Sequence, residues 1–108
     1  MTPVTLFKCL SDQHRLQLLM LIHEIGEACV CDLMAALNID QPKTSRCLAD
    51  LRKCGLVNTE RRGKWVFYRL ADDLPDWAKS IIITSTGASS DLIKPALARL
   101  PADLTQCC

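Results

Sequence analysis

The stretch "IDQPKTSRCLADLRKCGLVNTERRGKWVFYRL", Ile39 to Leu70, changes its hydrophobic period halfway along, and that change decides the fold. Its first half has a helical period. Asp40 or Gln41 can cap a helix, Pro42 suits its first turn, and Gly55 suits its end. Thr44, Leu48 and Leu51 make one inward stripe, while Lys43, Arg46, Asp50 and Lys53 make an outward and mostly basic one. The second half alternates. Val66, Tyr68 and Leu70 take one side, Trp65, Phe67 and Arg69 the other, and Arg62-Gly63 marks a turn. This predicts a β-hairpin with Arg61, Arg62 and Lys64 at its tip.

Upstream, "TPVTLFKCLSD" reads as a short first helix behind Thr2 and Pro3. Asp12 then caps "QHRLQLLMLIHEIG", which Gly26 ends. Leu16, Leu18, Leu19, Met20, Leu21, Ile22 and Ile25 make that helix apolar on most sides, so it is expected at the centre. "CDLMAALN" is a third short helix. Two helices joined by a tight polar turn, the second basic on its outer face, form a helix-turn-helix, and the hairpin after it is a wing. Downstream, "DDLPDWAKSIIITS" predicts a helix with Leu74, Trp77, Ile81, Ile82 and Ser85 on its apolar face. Beyond it Pro95 interrupts a helical spacing, which leaves a short helix or a loose tail. The expected fold class is mostly α with a β-hairpin wing. Residues 1–86 are read as a winged helix-turn-helix DNA-binding and dimerisation domain, and residues 87–108 as a C-terminal tail. Apolar faces on the first and last clear helices would be covered in a two-fold homodimer, which would present two recognition helices to a palindromic site.

The net charge of +1 hides a segregation. Between Gln41 and Arg69 stand eight basic residues against Asp50 and Glu60, which gives +6, and the rest of the chain carries −5. A concentrated cationic segment on an acidic body attracts phosphate backbones. The expected DNA-contacting set is Gln41, Lys43, Thr44, Ser45 and Arg46 from the helix, with Lys53, Arg61, Arg62 and Lys64 beyond it. Base readout falls to the exposed N-terminal residues of the helix, and phosphate contacts fall to the cations. No apolar run approaches the ~18 residues of a membrane span. The start lacks a basic n-region and a cleavage site, so the chain is expected to be cytoplasmic, with no membrane partner. There is no βαβ pattern, no Cys-x-x-Cys and no anion-binding glycine loop, which argues against an enzyme.

"GEACVCDLM", Gly26 to Met34, places Cys29 and Cys31 one residue apart. Seven cysteines, an odd number, do not make a disulfide framework. Thiolates select soft ions, and a helix N-terminus lowers a thiol pKa. Residues i and i+2 of a regular helix point about 200° apart, so both can reach one ion only with Cys29 and Val30 extended or the first turn unwound. Packing as small core residues is the competing reading. Cys9 is expected to be packed, Cys47 faces either DNA or the core, Cys54 is open to either role, and Cys107 and Cys108 end the chain. Met34 is a weak thioether candidate. His14 and His23 read as structural.

"GEACVCDL" resembles the "ELCVCDL" metal-binding box of the ArsR/SmtB repressors. "QPKTSRCLADLRKCGLV" resembles their recognition helix and "RRGKWVFYRL" their wing, and the resemblance runs from roughly Leu6 to Ile83. It implies a homodimeric winged helix that leaves double-stranded operator DNA when As(III) or Sb(III) binds, with Cys29 and Cys31 as ligands. A third cysteine of the box is replaced by Met34, so a third thiolate is either dispensable or comes from Cys9, Cys54, Cys107 or Cys108. A histidine of the recognition helix is replaced by Cys47. The last clear helix has no histidine, so the Zn(II) site of some relatives is absent. The expected function is therefore a metalloid-responsive transcriptional repressor with no permanent cofactor. The alternatives on the same fold are a Cd/Pb-type sensor and a thiol redox-sensing repressor.

Overall fold

A computed structural model describes residues 1–100. The element order is α1 (Pro3–Leu10), α2 (Gln13–Ile25), β1 (Glu27–Cys29), α3 (Val30–Leu37), α4 (Gln41–Lys53), β2 (Val57–Arg62), β3 (Trp65–Leu70), α5 (Asp76–Ala88), a 3-10 turn (Ser90–Leu92) and α6 (Lys94–Arg99). The local chemistry sets these boundaries. The Thr2, Asp12 and Asp40 side chains accept backbone N–H bonds from Thr5, Arg15 and Lys43 at the starts of α1, α2 and α4. Gly26 ends α2 at φ 90°, and Asn38 ends α3 in the left-handed region at φ 55°.

Leu18 to Ile22 of α2 are all buried, and Leu6, Leu33, Leu48, Leu51 and Leu56 close around them with no exposed surface. Each such leucine contributes about 1.5–3 kcal/mol of burial. The recognition helix α4 and the first helix α1 thus share one core with α2.

The wing has three strands where the sequence predicts two. The order is β1-β3-β2, all antiparallel. β1 pairs Cys29 with Phe67 and Glu27 with Arg69. A three-residue strand is too short to show alternation, so periodicity cannot reveal it. The hairpin alternation itself holds. Tyr68 and Leu70 pack on the core, while Trp65 and Phe67 lie under Lys64 and Arg62, 4.9 and 4.7 Å from the ring centres.

α5 keeps most of its expected face: Leu74 and Ile82 are buried and Ile81 packs on the core. Ala78 and Thr86 are buried as well, and Trp77 departs from the expectation at 37 % exposed. Pro95 does not break a helix. It stands in the first turn of α6, where its missing N–H costs nothing. Ile93 and Ala96 are buried, and Arg99 donates to the carbonyl of Ala36 at 2.9 Å, so the described part of the expected tail is fastened to the end of α3. Cys107 and Cys108 lie outside the described residues.

Candidate nucleic-acid interface and thiol pair

Three residues, 38–40, separate α3 from α4. Gln41, Ser45, Arg46, Ala49 and Lys53 are exposed along α4, and Lys43 is half-buried beside them. Gln41, Ser45, Ala49 and Lys53 recur every four residues, so they share one face. Thr44 corrects the expected set. It has no exposed surface, and its hydroxyl donates to the Asp40 carbonyl at 2.8 Å. Its place on the stripe of Leu48 and Leu51 turns it inward, away from any groove. Cys47 is also buried, which raises its thiol pKa and settles its orientation toward the core.

Arg61, Arg62 and Lys64 are exposed at the wing tip. They are not equivalent. Arg61 donates from Nε to the Gly63 carbonyl at 3.1 Å and keeps the rest of its guanidinium outward. Arg62 grips both oxygens of Glu27 on β1, at 2.7 and 2.8 Å, and also pairs with Glu60. That bonding pushes the Arg62 pKa up and holds the Glu27 carboxyl below its usual range. Arg62 is thus a clasp between β2 and β1 as well as a surface cation. Glu27 carried no sequence signal, because it lies 35 residues from its partner.

Cys29 and Cys31 lie on adjoining elements and face different ways. Cys29 ends β1, is 3 % exposed, and is extended at ψ 166°. Its thiol donates to Asp32 Oδ2 at 3.3 Å. Cys31 is exposed in the first turn of α3. Cys29 thus has the extended backbone that shared ligation calls for, whereas Val30 is already helical. Asp32 is fully buried, and its other carboxylate oxygen has no hydrogen-bond partner among the described residues. Its position three residues after Cys29, at a helix start, is the signal that could have singled it out. Among the described residues no group of three His, Cys, Asp or Glu side chains converges to hold an ion.

The remaining described cysteines cluster elsewhere. Cys9 is buried, which raises its thiol pKa, and it lines one surface cleft with Cys54, the C-cap of α4. Arg15 of α2 holds this junction together. Its Nε and Nη2 donate to the carbonyls of Cys9 and Lys8 at the end of α1, at 2.7 and 3.3 Å, and its Nη1 lies 3.5 Å from Asp50 of α4.

A basic helix carried by a second helix across a short corner, with a basic three-stranded wing beside it, defines a winged helix-turn-helix DNA-binding protein. The chain belongs to the arsR family of bacterial regulatory proteins: residues 12–59 match the family described as "Bacterial regulatory protein, arsR family". It is 52 % identical over 80 residues to the arsenical resistance operon repressor of Escherichia coli, covering 74 % of this chain and 68 % of that one. It is 41 % identical over 100 residues to the arsenic resistance transcriptional regulator ArsR1 of Pseudomonas putida, covering 93 % and 78 %. Among solved structures, the transcriptional repressor BigR of Xylella fastidiosa superposes with a TM-score of 0.73 at 32 % identity, over 84 % of this chain and 86 % of that one. The family consists of transcriptional regulators. No helix among the described residues is long and apolar enough to cross a membrane.

Proposed function

We propose that this chain is a cytoplasmic, homodimeric repressor that binds palindromic operator DNA when empty and releases it when As(III) or Sb(III) binds Cys29 and Cys31. The observation that carries this reading is the divergence of the two thiols. Cys29 points into the protein from the end of β1, and Cys31 points out from the first turn of α3. One ion that takes both must turn Cys29 out or unwind that turn. Either movement acts on α3, the helix that supports the DNA-reading helix, and on the β1–β3 ladder, where Cys29 faces Phe67 of the wing. DNA needs the regular arrangement and the ion needs the distorted one, so the two ligands oppose each other reciprocally.

The relatives named for arsenic resistance support the choice of ion. Exposed Val4 and Phe7 on α1 and Ile83 on α5 support the dimer, since these apolar side chains have no cover within one chain. DNA contacts fall to Gln41, Lys43, Ser45, Arg46 and Lys53 of α4 and to Arg61, Arg62 and Lys64 of the wing. The test is binding to the promoter DNA beside the chain's own gene, titrated with As(III), Sb(III), Cd(II) and Zn(II). As(III) and Sb(III) are expected to weaken binding by about 5–150-fold, the usual span of a coupling free energy. The variant Cys29→Ser with Cys31→Ser is expected to stay bound. Release of that double variant by As(III) would show that the ligands lie elsewhere.

A further inference from the structure

We propose that Ala49 reads a thymine in each operator half-site through apolar contact between its methyl group and the 5-methyl group of the base, a role that rests on α4 being the DNA-contacting helix. α4 buries Thr44, Cys47, Leu48 and Leu51. At about 100° per residue, Ala49 lies within about 30° of the direction opposite the middle of that stripe. It is therefore near the centre of the outward face, about two turns in from Gln41.

The surroundings of Ala49 have the outline of a helix laid into a major groove. Pro42 and Ser45, which are exposed beside it, are short like Ala49 itself. The long cations stand off this central line. Exposed Arg46 and Arg52 lie about 60° to either side of Ala49, and Lys43 lies further round. Short side chains at the centre let the backbone approach the base edges, while cations on both flanks reach the phosphates of the groove walls.

At the point of closest approach Ala49 offers only a methyl group. In the major groove thymine presents a 5-methyl group, whereas the other bases present hydrogen-bond donors and acceptors. A methyl pressed on those polar edges would strip water from them and return no hydrogen bond. Methyl against methyl instead removes apolar surface from water on both sides. Selection thus works twice, for thymine and against its competitors. Alanine is also the strongest helix former, which would suit any solvent-facing turn. Helix propensity, however, is blind to the base opposite.

The test uses the full chain and the promoter DNA beside its own gene, with the half-sites located by footprinting. Each thymine of one half-site is replaced singly by deoxyuridine, which removes the methyl and keeps every hydrogen-bonding group. One replacement should weaken wild-type binding about fourfold, the factor for one methyl-sized group left in water. That penalty should vanish in Ala49→Gly and in Ala49→Gln, of which the second keeps a good helix former at the position. A general loss of affinity in either variant cancels in the ratio of thymine to uracil duplexes. Arg46→Ala should weaken binding to both duplexes and leave that ratio unchanged. If no deoxyuridine duplex binds more weakly, or if the penalty survives in either Ala49 variant, Ala49 does not read thymine. If Arg46→Ala also binds like the wild type, α4 is not the reading helix, and the wider assignment falls with it.

Discussion

Arg62 at the end of β2 holds Glu27 at the start of β1 through two hydrogen bonds, 2.7 and 2.8 Å long. The clasp joins the wing to the strand that ends in Cys29. It also occupies a guanidinium that would otherwise face phosphate. Glu27→Gln should therefore leave Arg62 with Glu60 as its remaining carboxylate partner and more available to DNA. The expected result is tighter operator binding and a steeper salt dependence, by about one unit in the slope of log K against log salt. Fluorescence anisotropy across a salt series measures it, and an unchanged slope would assign the clasp to wing structure alone.

Arg46 and Thr44 should separate cleanly. Arg46 is exposed on the outer face of α4, so Arg46→Ala should weaken operator binding by about 1–3 kcal/mol and leave the melting temperature nearly unchanged. Thr44→Val removes a part-buried hydrogen bond to the Asp40 carbonyl and should cost about 1 kcal/mol of stability with base preference intact. Thermal melts beside binding to a panel of operator variants distinguish the two.

Stability should fall on the acid side. Asp12 is held below the usual aspartate range, chiefly by the backbone N–H of Arg15 that its carboxylate caps, and Glu27 is held low by Arg62. A carboxylate whose folded pKa is depressed contributes stability that is present above its unfolded pKa, near 4, and is lost as pH falls through the folded value. Denaturant midpoints should therefore drop below about pH 4. Asp12→Ala should cost about 1 kcal/mol at neutral pH and flatten that acid limb. An equally steep limb in the variant would place the titrating group elsewhere.

Phe7→Glu combined with Ile83→Glu should give a monomer by analytical ultracentrifugation with a native circular dichroism spectrum, since both side chains are more than half exposed in the single chain. Operator affinity should fall with the loss of the second half-site. A variant that stays dimeric would move the interface to another face.

Much of this fold was legible because α4 and the β2–β3 hairpin obey clear periods, 3.6 residues and then 2. The caps Asp12 and Asp40 and the stops Gly26 and Gly55 were legible because each satisfies a local backbone need. What stayed hidden depends on distance in the chain. β1 exists only because Glu27 to Cys29 meet β3 forty residues later. On α5 the expected Leu74 and Ile82 are buried, whereas Trp77 is 37 % exposed beside a buried Ala78, an order that residue size does not reveal. The thiol pair was legible as a pair. Its split between a buried and an exposed sulfur, and the buried Asp32 beside Cys29, required the strand that sequence did not show.

Arg15 bonds through one guanidinium to the Lys8 and Cys9 carbonyls at the end of α1 and to Asp50 of α4. In a dimer joined through α1, the angle between α1 and α4 sets how far apart two recognition helices stand, and successive major-groove half-sites lie about 34 Å apart. On the dimeric reading proposed above, Arg15 would help to set that angle. A lysine there has a single charged centre and no planar fork, so it could not serve both helices in fixed geometry. Half-site spacing, a property of the genome, would then be tuned by a half-buried side chain at a helix junction.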